Sequence, residues 1–166
     1  GRLSLADVPG RRGDAVKHAR ETPMAHFDDL SPYAYGWHSA DPGVLHVGWL
    51  SSKHEYPKGD VPAHLVSTLM TLSSNLKELY RGYHVCELCQ MPAELIGKPF
   101  SDQWEWASKR ASNGEIRITE DGVTYAAPQL IVHYIVEHGY RPPQVFLQAL
   151  EKVANKLEAE RLDRLS

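Results

Sequence analysis

Apolar and polar positions alternate through "VLHVGWL", residues 44–50, which predicts a strand with Leu45, Val47 and Trp49 on one face. Gly48 on the opposite face predicts a bulge or a close backbone approach. The period then changes. Leu65, Leu69, Leu72 and Leu76 recur at helical spacing in "VPAHLVSTLMTLSSNLKELY", after an Asp60 suited to capping and a first-turn Pro62. Pro92 and Pro99 predict an irregular stretch over 90–102, and the two-residue spacing of Trp104 and Trp106 suits a strand or a loop over the core. Two β-prone runs follow in "EIRITEDGVTYAA". The Asp121-Gly122 pair between them is the residue choice of a tight hairpin.

Pro128 opens "PQLIVHYIVEH", a helix apolar on most sides and therefore central, stopped by Gly139. A last helix starts at Pro143 with Phe146, Leu150, Val153 and Leu157 on one stripe. Beyond Leu157 charges dominate, so its end projects into solvent or meets a partner helix, and a dimer through this helix is one outcome. The pattern gives a single α+β domain over 24–166, with a small antiparallel sheet packed on three helices. Residues 1–23 are rich in Arg, Lys and turn formers and read as a flexible arm. Met24 is one candidate for a natural start.

Composition narrows the class. The 166 residues carry a net charge of −3 and 42% hydrophobic residues, enough for a real core without disulfides. No apolar run approaches the roughly 20 residues of a membrane span, and no secretory signal opens the chain, so the expected compartment is the cytoplasm. The near-neutral balance argues against a nucleic-acid binder, although the arm's Arg11, Arg12, Lys17 and Arg20 keep that reading open.

The chemistry lies in "RGYHVCELCQMP", which holds both cysteines. In a reducing compartment Cys86-Glu87-Leu88-Cys89 is more often half of a zinc site than a disulfide, because a tight turn brings two sulfurs to one ion. Inert packed thiols and a redox pair are the alternatives. His133 and His138 supply two further donors, with His84 competing as a third or fourth ligand. One geometric objection stands: five residues on an ideal helix turn through about 140° beyond a full revolution, so both imidazoles reach one ion only if the last turn loosens near Gly139.

Catalytic signatures are missing. There is no HExxH, and His133-Tyr-Ile-Val-Glu137-His138 is one residue too long for the inverted form. The zinc-deaminase pattern, a phosphate loop and a GxSxG elbow are absent too. Zinc as a structural cofactor is thus the expectation, in a non-enzymatic module that binds a protein partner. The rival is a zinc hydrolase with an open site near Cys86 and Glu87 or Glu137 as base. Two loops are read as structural: His54–Gly59 as a connector capped by Asp60, and Asp28–Tyr35 as a segment whose Tyr33 and Tyr35 close over the core.

Taken together, "HFDDLSPYAYG", "VGWL", "GYHVCELC", "NGEIRI" and "YAAPQLIVHYIVEHGYRPPQVF" resemble a family of small uncharacterised bacterial proteins, mainly actinobacterial, that begin near F-x-DLSPY-x-Y. The resemblance runs from about Met24 to about Leu150. It implies a bacterial source and a compact single domain, mildly supports Met24 as a start, and carries no catalytic residues.

Overall fold

The structure, a computed structural model, describes residues 26–34, 41–76 and 78–166. The arm over 1–23 with Arg11, Arg12, Lys17 and Arg20, the start at Met24, and Tyr35 lie outside the described residues. Along the chain run β1 (Pro32–Tyr33), β2 (Asp41–His46), α1 (Ala63–Ser73), β3 (Glu78–Val85), a 3₁₀ turn at Ala93–Leu95, α2 (Phe100–Ser108), β4 (Ala111–Glu120), β5 (Val123–Pro128), α3 (Ile131–His138) and α4 (Gln144–Arg164).

The domain is α+β, as the pattern predicts, but the sheet is mixed rather than wholly antiparallel. Its order is β1-β2-β5-β4-β3, with β2 parallel to β5 and the other neighbours antiparallel. The centre is the β4–β5 hairpin. Asp121 at φ 51° and Gly122 at φ 78° form the paired left-handed turn anticipated for Asp-Gly.

Adjacent residues of a strand point to opposite faces, and β5 shows it: Tyr125 and Ala127 join the main core, whereas Ala126 joins a smaller cluster with Tyr33 and Val44. The main core packs Leu65 and Leu69 of α1, Ile131 and Tyr134 of α3, and Phe146 and Leu150 of α4 against Ile116 and Ile118. On the other face, Tyr33 donates its hydroxyl to the fully buried Glu115 at 3.0 Å, and Arg117 pairs with the same carboxylate at 2.6 Å.

Three expectations change. α1 ends at Ser73, and "ELY" belongs to β3, although Leu76 continues the helical spacing. Hydroxyls of Thr71, Ser73 and Ser74 bond carbonyls three or four residues back, the local competition that weakens a helix end. Residues 100–108 form a helix, where the irregular stretch was expected to run to 102 and Trp104 and Trp106 to lie on a strand or a loop. Pro99 acts as a starter, since a missing N–H costs nothing there, and α1 and α4 likewise follow Pro62 and Pro143. Asp60 therefore caps nothing: the N-cap of α1 is Pro62, without a side-chain cap.

After β2 the chain turns inward through Val47, Trp49 and Leu50, all buried. Gly48 has φ +76°, and a Cβ placed on it would lie 3.1 Å from Ile131. The close approach expected of this glycine is thus present. Gly48→Ala combines a left-handed backbone with a clash and should cost about 2 kcal/mol, read as a lower urea midpoint at unchanged slope.

Asp29 ties the N-terminal segment down. Its carboxylate accepts the Gly48 N–H at 2.9 Å and the Tyr140 hydroxyl at 3.0 Å. Burial raises its pKa, and those two donors pull it back. Beside it His46 is completely buried, stacked on Phe27 with ring centroids 3.8 Å apart, and its Nε2 accepts the Ala34 N–H at 3.1 Å.

Burial lowers the His46 pKa from 6.5 to about 4. The unfolded chain therefore binds a proton between these values that the folded chain refuses, so this contribution is full above pH 6.5 and is lost as pH falls toward 4. The stability gap between wild type and His46→Gln should narrow over that window in paired denaturation curves. A gap independent of pH would contradict this account.

Candidate metal centre

Cys86 follows the last residue of β3, and its N–H donates to the carbonyl of Arg110 at 2.8 Å, pinning the turn to the start of β4. The chain then folds back so that the N–H groups of Leu88 and Cys89 point at the Cys86 sulfur. Those donors favour a thiolate there, against the burial that pushes the Cys86 thiol up to about 11. A bound dication reverses that balance outright, since a coordinating thiol loses its proton.

The histidines arrive from the other side of the core. His133 lies in α3 and His138 is its last residue. The geometric objection to this pair is answered by how the helix ends. The carbonyl of Tyr134 accepts the N–H of Gly139, five residues on, and also that of Tyr140 at 3.1 Å. Gly139 sits at φ 65° in the left-handed region that such an ending needs. An i→i+5 bond widens the final turn and brings positions 133 and 138 toward one side.

The four side chains converge. Nε2 of His138 lies 3.5 Å from Cys86 Sγ and 3.3 Å from Cys89 Sγ, and Nε2 of His133 lies 3.2 Å from Cys89 Sγ. All four donor atoms fall within 4.8 Å of one another. A tetrahedral zinc with bonds of about 2.3 Å to sulfur and 2.0 Å to nitrogen has S···N edges of about 3.5 Å. The three short S···N separations already match that edge to within about 0.3 Å, so these residues are placed to hold a metal ion. His84, the competing ligand, stands on β3 opposite Ser112 and is not one of the four.

Two supports escape a reading of the sequence. Glu87, considered above as a base, has its Oε2 accepting the Ser52 N–H at 3.1 Å and the Ser52 hydroxyl at 3.3 Å, so it fastens the cysteine turn to the loop after Leu50. Tyr56 donates its hydroxyl to the carbonyl of His138 at 3.1 Å, while Gly59 N–H bonds Gly139 and Arg141 N–H bonds Pro57. The His54–Gly59 connector thus braces the end of α3. Tyr56 and His138 are 82 residues apart, and no spacing rule points from one to the other.

Cys86 is buried, while Cys89, His133 and His138 are half-buried along a cleft of about 530 Å³ that Trp106, Arg110 and Glu137 also line. Arg110 lies 4.4 Å over the Trp106 ring and donates to the Trp106 carbonyl at 2.9 Å, closing the end of α2 beside the site.

Fold and site together define an α+β domain in which a Cys₂His₂ cluster, suited to a metal ion, joins the turn after β3 to the end of α3. Residues 25–151 match the family model of a domain of unknown function, DUF7919, and the chain belongs to that family. The matched span agrees with the resemblance drawn from the sequence, and with an uncharacterised family. No curated protein and no solved structure matches the chain. Among the described residues no helix is long and apolar enough to cross a membrane.

Proposed function

We propose that this chain is a non-enzymatic, zinc-stabilised protein-binding module of the bacterial cytoplasm, of the accessory or immunity type. The observation that carries the zinc assignment is the closed set of two thiols and two imidazoles, with three S···N separations of 3.2–3.5 Å and all four donor atoms within 4.8 Å of one another. Soft sulfur with imidazole in a tetrahedral arrangement suits Zn²⁺ over the hard oxygen-seeking cations, and four protein donors leave no position for a substrate. Reducing conditions would keep the pair ligated rather than oxidised.

Protein binding draws on a separate surface. Phe100, Ile96 and Tyr83 are 77%, 69% and 58% exposed, and both Phe100 and Tyr83 pack on the ring of Trp104. Aromatic groups held in place by one another and open to water are the composition of an interface centre.

Metal analysis of freshly purified protein should find one zinc per chain, with none retained in a Cys86→Ser, Cys89→Ser double variant. Cobalt substitution should yield the intense absorption of a tetrahedral thiolate centre, unchanged by added azide or thiocyanate. A hydrolytic reading draws on the cleft that touches Cys89, His133 and His138. An anion-sensitive cobalt spectrum would favour it, because only a position not held by a protein donor admits an added anion.

A further inference from the structure

α4 outruns the domain it belongs to. From Glu158 onward every residue is exposed. At 1.5 Å per residue its helical part, from Glu158 to Arg164, reaches about 10 Å past its last packed turn. A helical piece of that length holds poorly in water without tertiary support. Among charged neighbours it carries Leu162 and Leu165, 53% and 72% exposed and one turn apart on the same face. Arg161 shares this face, ion-paired to Glu158 at 2.7 Å.

A receptor of matching character lies between α1 and α3. This groove of about 500 Å³ has Ala63, Val66, Ser67 and Met70 as its α1 wall, at helical i, i+3, i+4, i+7 positions, and Ile135 and Val136 as its α3 wall. Met70 is 57% and Val136 60% exposed. Asp60 is the charged residue among those lining it. No hydrogen bond or ion pair engages its carboxylate among the described residues. Two helices flanking an apolar trough form the standard seat for an amphipathic helix.

The tail of the same molecule cannot fill it. His64, near the start of α1, bonds Glu151 at 2.8 Å, and Leu157 lines a cavity with Thr71 and Ser74 at the end of α1. The two helices therefore run side by side in the same direction, and the tail leaves past the C-terminal end of α1, away from its own groove. We propose that Leu162 and Leu165 of one copy seat in the α1–α3 groove of a second copy, with Arg161 meeting Asp60. Two such contacts about a two-fold axis close a dimer. The proposal goes beyond the zinc reading and does not depend on it.

Sedimentation equilibrium of the full chain, from low micromolar to submillimolar concentration, should show a reversible monomer–dimer equilibrium. Leu162→Glu with Leu165→Glu, and separately Met70→Glu, should each weaken it at least ~10-fold, with far-UV circular dichroism and zinc content unchanged. Asp60→Arg should weaken it as well. Combining it with Arg161→Asp should restore most of the loss. A monomer at every concentration overturns the proposal, as does a dimer indifferent to these variants or a mass that climbs past two chains. A Met70→Cys thiol that becomes reactive only when residues 1–25 are deleted would assign the groove to the chain's own N-terminal segment and overturn it too.

Discussion

With the cluster holding zinc as proposed, stripping the ion, or replacing either Cys86 or His138 with alanine, should lower the stability of the domain by about 4 kcal/mol, roughly 10 °C in melting temperature for a chain of this size. The magnitude follows from what the cluster joins. Cys86 and His138 are 52 residues apart, and a cross-link closing a loop of that length restricts the unfolded chain about as a disulfide does. Strong zinc affinity with no preformed site in the unfolded chain makes binding energy into folding energy.

Non-additivity is the sharper part of the expectation. Chelator should cost wild type the full amount and cost Cys86→Ala almost nothing more, because both remove the same link. Lower pH should act in the same direction: thiolates and imidazoles must lose protons to bind, so acid releases the ion. Thermal unfolding with and without chelator reads both. Equal losses in the two proteins would mean that the cysteine serves packing alone.

The second large effect lies away from the metal. Phe146 is fully buried at the root of α4, edge-on to Tyr125 with ring centroids 5.8 Å apart. Phe146→Ala opens a cavity among rigid neighbours and should cost about 3–5 kcal/mol. Zinc stoichiometry should stay at one, because α3 and the cysteine turn keep their own tethers. A urea midpoint unchanged from wild type would show that α4 is not packed as described here.

Why some of this was legible in the sequence is a matter of range. The Asp121-Gly122 turn, the apolar run of α3 and the CxxC spacing are all set by residues a few positions apart and all are present, although α3 begins at Ile131 and Pro128, expected to open it, ends β5. The pairing of Cys86 and Cys89 with His133 and His138 was legible from donor chemistry alone, while the widened turn that permits it depends on the backbone bonds at Tyr134. The features that stayed hidden are made by distant partners or by competing local bonds. β3 was obscured because Leu76 extends a helical period past the serine pair that ends α1. α2 was obscured because Pro99 reads equally as a stop and as a start. The buried Glu115 and the brace from Tyr56 depend on residues 82 positions away, beyond the reach of any periodicity.

The parallel pairing of β2 with β5 governs how this chain can be made. Val44 sits beside Thr124, so the middle of the sheet waits until a sequence separation of 80 residues has been closed. Ring closure over such a span has to precede any reward from the strands themselves, which puts the domain among slow folders for its length. A ribosome translating it would release β2, α1 and β3 with their apolar sides unmet, and only emergence of the hairpin's second arm would let the earlier segments settle.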